Sequence, residues 1–200
     1  KPDYLKIPDW FQGEKGTDAE YPTKGWEEAI KSLGSDFEAI INKATQQIIS
    51  DQIECGIDII TDGEVRRENY IHYHCRFLKG IDFDNLTKQT ARTGNYDCYL
   101  PTIINKVEFD KPFLSNEFKI NQKFSSKPVK VTIPGPLTIT DTIADDYYKD
   151  NKKLGIDLSI AINNEVYPTG RLGFEIFSNI TKIVYIPIKK AIIKPIIEKI

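Results

Sequence analysis

The chain has 200 residues, with 27 basic and 29 acidic side chains and a formal net charge of -2 at pH 7. This length allows one domain with a sizeable core, and the balanced charge gives neither a basic surface for nucleic acid nor a basic amphipathic helix for a membrane. The cysteines, Cys55, Cys75 and Cys98, are odd in number and widely spaced, as is typical of thiols in a reducing compartment. We therefore expect a cytoplasmic protein whose partners are neither nucleic acid nor membrane.

Helical patterns follow an irregular start. Residues 1–25 are polar and punctuated by proline and glycine, which is typical of a loop or arm. Residues 26–33 predict a short helix. A longer helix is predicted from residues 35–38, which form the capping-box pattern SDFE, to Gly56, because a glycine readily ends a helix.

A strand and a hairpin are predicted next. Residues 57–61 are an apolar run that predicts a buried strand, and this run ends in an acidic loop that contains glycine. Residues 69–78 predict a further helix. Residues 81–110 mix aromatic, β-branched and turn-forming residues, and they predict a β-hairpin around residues 93–95 (TGN).

The last patterned segments repeat this order of strand and helix. Residues 112–126 favour a helix, and alternating apolar residues at 129–133 predict a strand that runs into the sequence PGP at 134–136. Helices are predicted at 137–148 and 151–166. Strands that alternate with helices indicate an α/β fold with a parallel sheet, in which both strand ends open on the same face.

The loop after the first predicted strand carries the most informative polar residues. Asp62 and Glu64 can bind an ammonium group, orient a metal or act as an acid or base. The planar guanidinium group of Arg66 or Arg67 can bind a carboxylate through two parallel hydrogen bonds. Together these charges suit an amino acid, which carries both signs. A solvated turn with ion pairs at a helix start is the alternative, and residue chemistry alone slightly favours it.

Three other groups of residues are less specific. His72, His74 and Cys75 are residue types that bind zinc, but residues two apart on a helix do not share a face, so an ordinary, partly buried helix face is favoured. Residues 134–138 (PGPLT) form a rigid turn that lets the backbone approach a ligand or simply connects a strand to a helix. Residues 95–101 (NYDCYLP) offer rings for stacking on a flat ligand, with hairpin packing as the favoured alternative.

Three motifs, in this order, resemble the catalytic domain of the cobalamin-independent methionine synthase family and, more closely, its short single-barrel members. They are GIDIITDGEVRR at 56–67, TGNYDCYLPTI at 93–103 and VKVTIPGPLT at 129–138. The resemblance, which extends over about residues 1–166, implies an α/β fold that is a partial (β/α)8 TIM-type barrel with a β-hairpin excursion. Residues 1–170 would be the N-terminal part of this barrel, and residues 171–200 an Ile/Lys-rich tail of uncertain origin.

The resemblance implies an enzyme of methionine biosynthesis that transfers a methyl group from 5-methyltetrahydrofolate to homocysteine. The family uses a zinc-bound thiolate and no cobalamin, since zinc coordination deprotonates the thiol. By resemblance, Glu64 holds the amino group of homocysteine, Arg67 supports its loop, and the segment that begins at Tyr96 faces the folate. The implied substrate-binding residues are Asp62, Glu64, Arg67, Tyr96, Pro134, Gly135 and Thr138.

The chain also departs from the family pattern. It has no His-x-Cys pair for zinc, since His74 and Cys75 are adjacent, and residues 167–170 (YPTG) stand where the family has Asp-Glu-Pro. We therefore expect a truncated or frameshifted chain that lacks the family's zinc ligands and does not turn over alone. The alternatives are a non-catalytic remnant that binds a ligand or partner, and another methyltransferase, or a decarboxylase of uroporphyrinogen type, from the same barrel superfamily.

Overall fold

A computed structural model describes Leu5, Ile7 and residues 22–91 and 96–166. Most of the predicted N-terminal arm, the hairpin turn at 93–95 and the tail at 171–200 lie outside the described residues. None of the helices in the described ranges has the length and apolarity that a bilayer crossing requires.

Helices and a small sheet make the described part of the chain an α/β structure. Its elements are α1 (Pro22–Leu33), α2 (Asp36–Glu54), α3 (His72–Cys75), β1 (Leu78–Ala91), β2 (Tyr96–Phe109), α4 (Leu114–Lys123), α5 (Pro136–Thr140), β3 (Ala144–Asp145) and α6 (Asn151–Val166). The strands form one sheet in the order β1-β2-β3. The helices predicted at 26–33, 112–126 and 151–166 are confirmed as α1, α4 and α6, but the loop predicted at residues 1–25 is wrong at its end, because α1 begins at Pro22.

The described residues divide into two compact units. Unit 1 contains those up to Tyr73, together with those of Lys88–Tyr99 and Glu117–Thr132. Unit 2 contains His74–Thr87, Leu100–Asn116 and the described residues from Ile133 onward. The β1–β2 hairpin and α4 each contribute residues to both units, so neither unit is one continuous stretch of chain.

In unit 1, α1 and α2 form the main apolar core. Phe37, Ile41 and Ala44 of α2 are buried against α1, together with Val65 from the loop that follows α2. The ring of Trp26 packs edge-on against Phe37 at a centroid distance of 6.3 Å. Residues of α2 at spacings of three and four therefore bury one face of the helix, as the sequence predicts.

The predicted capping box at the start of α2 is wrong. Ser35 has helical backbone angles (φ -63°, ψ -22°), and its side chain makes no capping hydrogen bond. The chain turns from α1 into α2 at Gly34, whose carbonyl accepts the Phe37 N–H at 3.3 Å, so this backbone donor is already satisfied. Glu38, the other member of the predicted box, instead forms an ion pair with Arg66 at 2.6 Å.

The end of α2 follows the prediction at Gly56. The Gly56 N–H donates to Ile53 O at 3.0 Å, and the Ile57 N–H donates to Gln52 O at 3.0 Å, which is the Schellman pattern of a helix end. Gly56 has a φ of 81°, in the left-handed region that glycine adopts without a Cβ penalty. The helix therefore stops where the chain turns toward the predicted strand.

Two predicted strands are shorter than expected, those at residues 57–61 and 129–133. Among the described residues they pair through one parallel bridge, between Ile60 and Val129, with the Lys130 N–H donating to Ile60 O at 2.8 Å. On the opposite edge of this strand, the Gln52 side-chain amide bonds both backbone groups of Thr61, because successive residues of a strand point their N–H and C=O groups to opposite sides. A backbone group that a side chain satisfies in this way is not available to a neighbouring strand.

The predicted β-hairpin is confirmed by β1 and β2, which are neighbours in the sheet. In unit 2, the hydroxyl groups of Thr87 on β1 and Thr102 on β2 lie 2.6 Å apart. The short strand β3 pairs parallel to β2, with Thr102 opposite Ala144 and Ile103 opposite Asp145. Residues from both strands of the hairpin therefore belong to the sheet of unit 2.

Two further helix predictions are wrong in length, those at residues 69–78 and 137–148. The first is limited to α3, because the chain enters β1 at Leu78. The second ends as α5 at Thr140, because Ala144 and Asp145 pair with β2 instead of continuing a helix. The Thr140 hydroxyl donates back to Pro136 O at 3.0 Å, a bond that competes with continuing helical pairing.

Two glycines of unit 1 provide a matched test of the loop geometry. Gly56 and Gly63 have φ values of 81° and 66°; an added Cβ at Gly63 would lie 2.7 Å from Cγ2 of Ile48, whereas one at Gly56 meets nothing within 4 Å. We expect Gly56→Ala to lower the free energy of unfolding by about 1–2 kcal/mol through backbone strain. Gly63→Ala should cost about 1–3 kcal/mol more, because β-branched Ile48 has little freedom to move. Urea unfolding measures both losses, and equal losses would contradict the close approach.

Candidate functional site

The acidic loop (residues 61–67) is attached to α2 and to the core of unit 1. The side-chain amide of Gln52 donates to Thr61 O at 2.7 Å and accepts the Thr61 N–H at 3.0 Å. Val65 is buried in the core between α1 and α2. The indole N–H of Trp26 donates to Arg66 O at 3.0 Å. Three separate attachments therefore hold the backbone of the loop in place.

Asp62 shapes the acidic loop from inside. Its Oδ1 accepts the Glu64 N–H at 3.0 Å, a bond by which aspartate stabilises a turn. Its Oδ2 accepts from Nδ2 of Asn121 on α4 at 3.2 Å. The side chain is buried. Because both carboxylate oxygens are engaged within unit 1, Asp62 supports the turn rather than facing solvent.

Glu64 has a strained backbone and a half-exposed carboxylate. Its φ is 53°, which is uncommon for a residue with a Cβ, and strained residues of this kind cluster at functional sites. The side chain is 35% exposed. Oε1 accepts from the Thr132 hydroxyl at 2.5 Å and from Nη1 of Arg67 at 3.4 Å. Oε2 makes no hydrogen bond with the described residues, so one oxygen of a fixed carboxylate is open to a ligand.

Arg67 is a buried cation next to Glu64. Its side chain is 1% exposed. Nη1 donates to the Thr132 carbonyl at 3.2 Å and to the Thr132 hydroxyl at 2.8 Å, and Nη2 lies 4.0 Å from Oε2 of Glu117. A buried guanidinium needs such partners, because an unpaired charge in a protein interior is costly. Because the guanidinium group of Arg67 is buried against Glu64 and Thr132, it is not presented to solvent.

Arg66, the neighbouring arginine, ties the acidic loop to α2. Its Nη1 donates to Oε1 of Glu38 at 2.6 Å, and its Nη2 donates to Oδ1 of Asn42 at 3.1 Å. These bonds occupy both ends of the guanidinium. Neither arginine of the loop therefore presents the open fork that the sequence suggested for the carboxylate of an amino acid.

A second buried carboxylate, Glu117 of α4, is paired with Arg67. The Tyr73 hydroxyl donates to Oε1 of Glu117 at 2.5 Å. Burial raises the pKa of Glu117, against the lowering effects of the Tyr73 hydrogen bond and the Arg67 charge. Burial also raises the pKa of Tyr73, and the charge of Glu117 raises it further, so the tyrosine keeps its proton and remains a donor.

The other predicted site residues lie outside the acidic loop. Tyr96 begins β2, and its side chain lies outside the described residues. Pro134, Gly135 and Thr138 belong to unit 2, where Gly135 is the N-cap residue of α5 and Pro136 is in its first turn. Of the predicted site residues, the structure brings together three in one loop of unit 1, namely Asp62, Glu64 and Arg67.

The described residues do not fit a zinc ion. Over residues 22–91 and 96–166, no three His, Cys, Asp or Glu side chains are grouped so that they could hold a metal. In unit 2, the His74 ring packs edge-on against Phe113 at 5.2 Å, and Cys75 is fully buried. Zinc, which the sequence resemblance implies, therefore does not match the donors described, and no step through a metal is assigned to them.

Three residues around the acidic loop were not predicted as site residues, namely Thr132, Glu117 and Asn121. Thr132 lies in the 129–138 motif, but it contacts Arg67 across 65 residues of chain, a separation that sequence patterns do not resolve. Glu117 and Asn121 could have been predicted from the sequence. They share one face of α4 with buried Leu114, at spacings of three and seven. Polar residues on an otherwise apolar helix face indicate buried polar contacts.

Comparison with known families identifies the type of domain that contains the acidic loop. Residues 18–176 match the family described as "Cobalamin-independent synthase, Catalytic domain". The chain belongs to this family. The acidic loop, the bridge between Ile60 and Val129 and the β-hairpin all lie within the matched range, so they are parts of a cobalamin-independent synthase domain. The resemblance stated from the three sequence motifs is confirmed.

Curated relatives of this synthase domain are methionine synthases. The enzyme of Saccharolobus solfataricus is 31% identical over 154 residues, which cover 73% of this chain and 46% of the relative. The enzyme of Sulfolobus acidocaldarius is 29% identical over 164 residues, which cover 78% of this chain and 48% of the relative. The chain thus spans about half the length of the curated relatives it matches.

Solved structures agree with this assignment. A B12-independent methionine synthase from Shewanella sp. W3-18-1, in complex with selenomethionine, aligns with a TM-score of 0.65 at 27% identity, over 83% of this chain and 44% of the other. A putative vitamin-B12 independent methionine synthase from Listeria monocytogenes aligns with a TM-score of 0.55 over 88% of this chain and 50% of the other. The second match, at 18% identity, concerns the fold alone.

The raised pKa of Glu117 predicts a pH-dependent stability. A carboxyl group with a higher pKa in the folded chain than in the unfolded chain stabilises the fold fully below the unfolded value, near 4.5, and this contribution is lost as pH rises through the raised pKa. Glu117→Gln removes the titration. We therefore expect the free energy of unfolding of the unaltered chain to fall, relative to that of the variant, as pH increases from 4 to 8.

Urea unfolding at a series of pH values, followed by circular dichroism, measures this difference. Tyr73→Phe is the second variant, because it removes a hydrogen bond that lowers the pKa of Glu117. In that variant the loss should move to higher pH. Parallel pH profiles for the unaltered chain and Glu117→Gln would contradict the assignment.

Proposed function

We propose that the chain is part of a methyltransferase of methionine biosynthesis that moves a methyl group from 5-methyltetrahydrofolate to homocysteine. The family match and the curated methionine synthases support this activity. Within the chain, the proposal rests on one observation, the half-exposed carboxylate of Glu64 that is held in a strained conformation with Oε2 open. The chain's own contribution would be part of the amino-acid site.

Glu64 would bind the ammonium group of homocysteine. An ammonium group carries three donors and a positive charge, and an open carboxylate oxygen is a matching partner. Selenomethionine, the ligand of the Shewanella enzyme, carries the same amino-acid group. Asp62 and Arg67 would act on the ligand through the loop, since Asp62 has both oxygens engaged and Arg67 is buried.

The barrel and the remaining site residues are also part of this proposal. Residues 1–170 would be the N-terminal part of a (β/α)8 barrel, which the parallel bridge between Ile60 and Val129 and the likeness to the Shewanella enzyme support. The segment from Tyr96 would face the folate. Pro134, Gly135 and Thr138 would bind substrate in the complete enzyme, with the small glycine and the rigid prolines shaping the turn.

Zinc and cytoplasmic location are the last parts of the proposal. The complete enzyme would use zinc and no cobalamin, in keeping with a cobalamin-independent family, although the described residues do not supply the zinc ligands. None of Cys55, Cys75 and Cys98 forms a disulfide, which supports a reducing compartment. A chain that binds the amino acid without catalysis is the alternative, and methionine formation by the chain alone would exclude it.

Replacement of Glu64 tests the proposed ammonium site. Glu64→Gln keeps the size of the side chain and removes its charge, so we expect binding of L-homocysteine to weaken by about 1.5–3 kcal/mol, or about 10- to 150-fold in Kd. Isothermal titration calorimetry of the 200-residue chain measures this change. The matched control is Glu54→Gln at the exposed end of α2, which should leave Kd unchanged.

A ligand without the amino group serves as a control for the ammonium interaction in this experiment. The des-amino analogue of methionine should bind the unaltered chain weakly, and Glu64→Gln should not weaken it further, because the lost interaction is with the ammonium group. Equal affinity of the unaltered chain and Glu64→Gln for L-homocysteine would contradict the proposed site.

A further inference from the structure

The hydroxyl group of Thr132 lies between the two charged groups of the acidic loop. It is 2.8 Å from Nη1 of Arg67 and 2.5 Å from Oε1 of Glu64. The direct contact between Arg67 and Glu64 is longer, at 3.4 Å. The hydroxyl of Thr132 is therefore the principal connection between the buried cation and the half-exposed carboxylate.

The direction of these hydrogen bonds is fixed by chemistry. A guanidinium group has only donors, so the Thr132 oxygen accepts from Arg67. An ionised carboxylate has only acceptors, so the Thr132 proton is donated to Glu64. The three groups form one chain of hydrogen bonds, in which the bond from Arg67 polarises the hydroxyl and strengthens its bond to Glu64.

This chain of hydrogen bonds determines which oxygen of Glu64 meets a ligand. Oε1 accepts hydrogen bonds from both Thr132 and Arg67, whereas Oε2 makes no hydrogen bond with the described residues. A carboxylate held by one oxygen cannot rotate freely about its last bond, so Oε2 keeps one direction. The left-handed backbone of Glu64 is held as well, by the bond from its N–H to Asp62.

We propose that Thr132 is a positioning residue of the amino-acid site, which fixes Glu64 so that Oε2 alone accepts the ammonium group of the ligand. This inference rests on the proposed function, because it needs Glu64 to be the ammonium acceptor. It adds a residue from a second segment of the chain, 68 residues from Glu64, to the recognition of the amino acid.

Thr132→Val is a suitable test because it removes the hydroxyl at nearly constant shape. Arg67 keeps the backbone carbonyl of Thr132 as an acceptor at 3.2 Å, and its ion pair with Glu117 is untouched. The residue is exposed, so no buried apolar packing is altered. The variant should therefore fold, which urea unfolding checks, and its effect should be on the freedom of Glu64.

The expected result is a loss of affinity that serine restores. Thr132→Val should weaken binding of L-homocysteine about 5- to 10-fold, since a charge-assisted hydrogen bond to the acceptor is lost. Thr132→Ser keeps the hydroxyl and should stay within about twofold of the unaltered chain. Binding of the des-amino analogue of methionine should be the same in both variants, because that ligand has no ammonium group.

A double-mutant cycle separates positioning from a general structural effect. If Thr132 acts through Glu64, then Thr132→Val should weaken L-homocysteine binding in the unaltered chain and have no further effect in the Glu64→Gln background. A structural role would lower affinity equally in both backgrounds. Equal affinity of the valine and serine variants would overturn the inference.

The outcomes also distinguish this inference from the function on which it rests. A loss of affinity in Glu64→Gln without one in Thr132→Val leaves the ammonium site standing and removes the role of Thr132. No loss in Glu64→Gln, or no binding of L-homocysteine by the unaltered chain, counts against the proposed site and the inference together.

Discussion

The buried guanidinium group of Arg67 is the constraint on which the acidic loop depends. A cation whose side chain is 1% exposed has to be met by oxygen atoms, because an uncompensated charge in the interior is costly. Thr132, Glu64 and Glu117 provide these atoms from separate segments of unit 1. Since the guanidinium group only donates, its hydrogen bonds to Thr132 and Glu64 have one direction. One of these partners, Glu64, is also partly exposed to solvent. The hydrogen bonds that satisfy the buried charge therefore orient a carboxylate at the surface.

Neutral contacts hold the same loop from the side of α2. The side chain of Gln52 forms hydrogen bonds with both backbone groups of Thr61, and Val65 is buried between the first two helices. Charged contacts and apolar packing together determine the backbone of Glu64 more fully than its own preference does, which is how a left-handed glutamate persists. The carboxylate is therefore ordered by folding, and a ligand does not have to order it on binding.

Local patterns in the sequence were sufficient for most of the helices and for the hairpin. They failed at the start of α2, where Ser35 has helical backbone angles instead of the extended angles of an N-cap residue. The candidate site divides in the same way. Asp62, Glu64 and Arg67 lie in one motif and were predicted, whereas Thr132 joins them only through the fold. Charge alone left open whether Arg66 or Arg67 could bind a carboxylate, and the burial of Arg67 is not visible in its charge.

The most direct test of Glu64 as the ammonium acceptor is an anomalous-diffraction structure of the chain crystallised with L-selenomethionine. The chain contains no methionine, so every selenium peak marks the ligand. We expect the bound ligand next to the acidic loop, with its nitrogen about 2.7–3.2 Å from Oε2 of Glu64 and the Thr132 hydroxyl still bonded to Oε1. A selenium peak away from this loop, or a ligand nitrogen bound to other groups, would contradict the assignment.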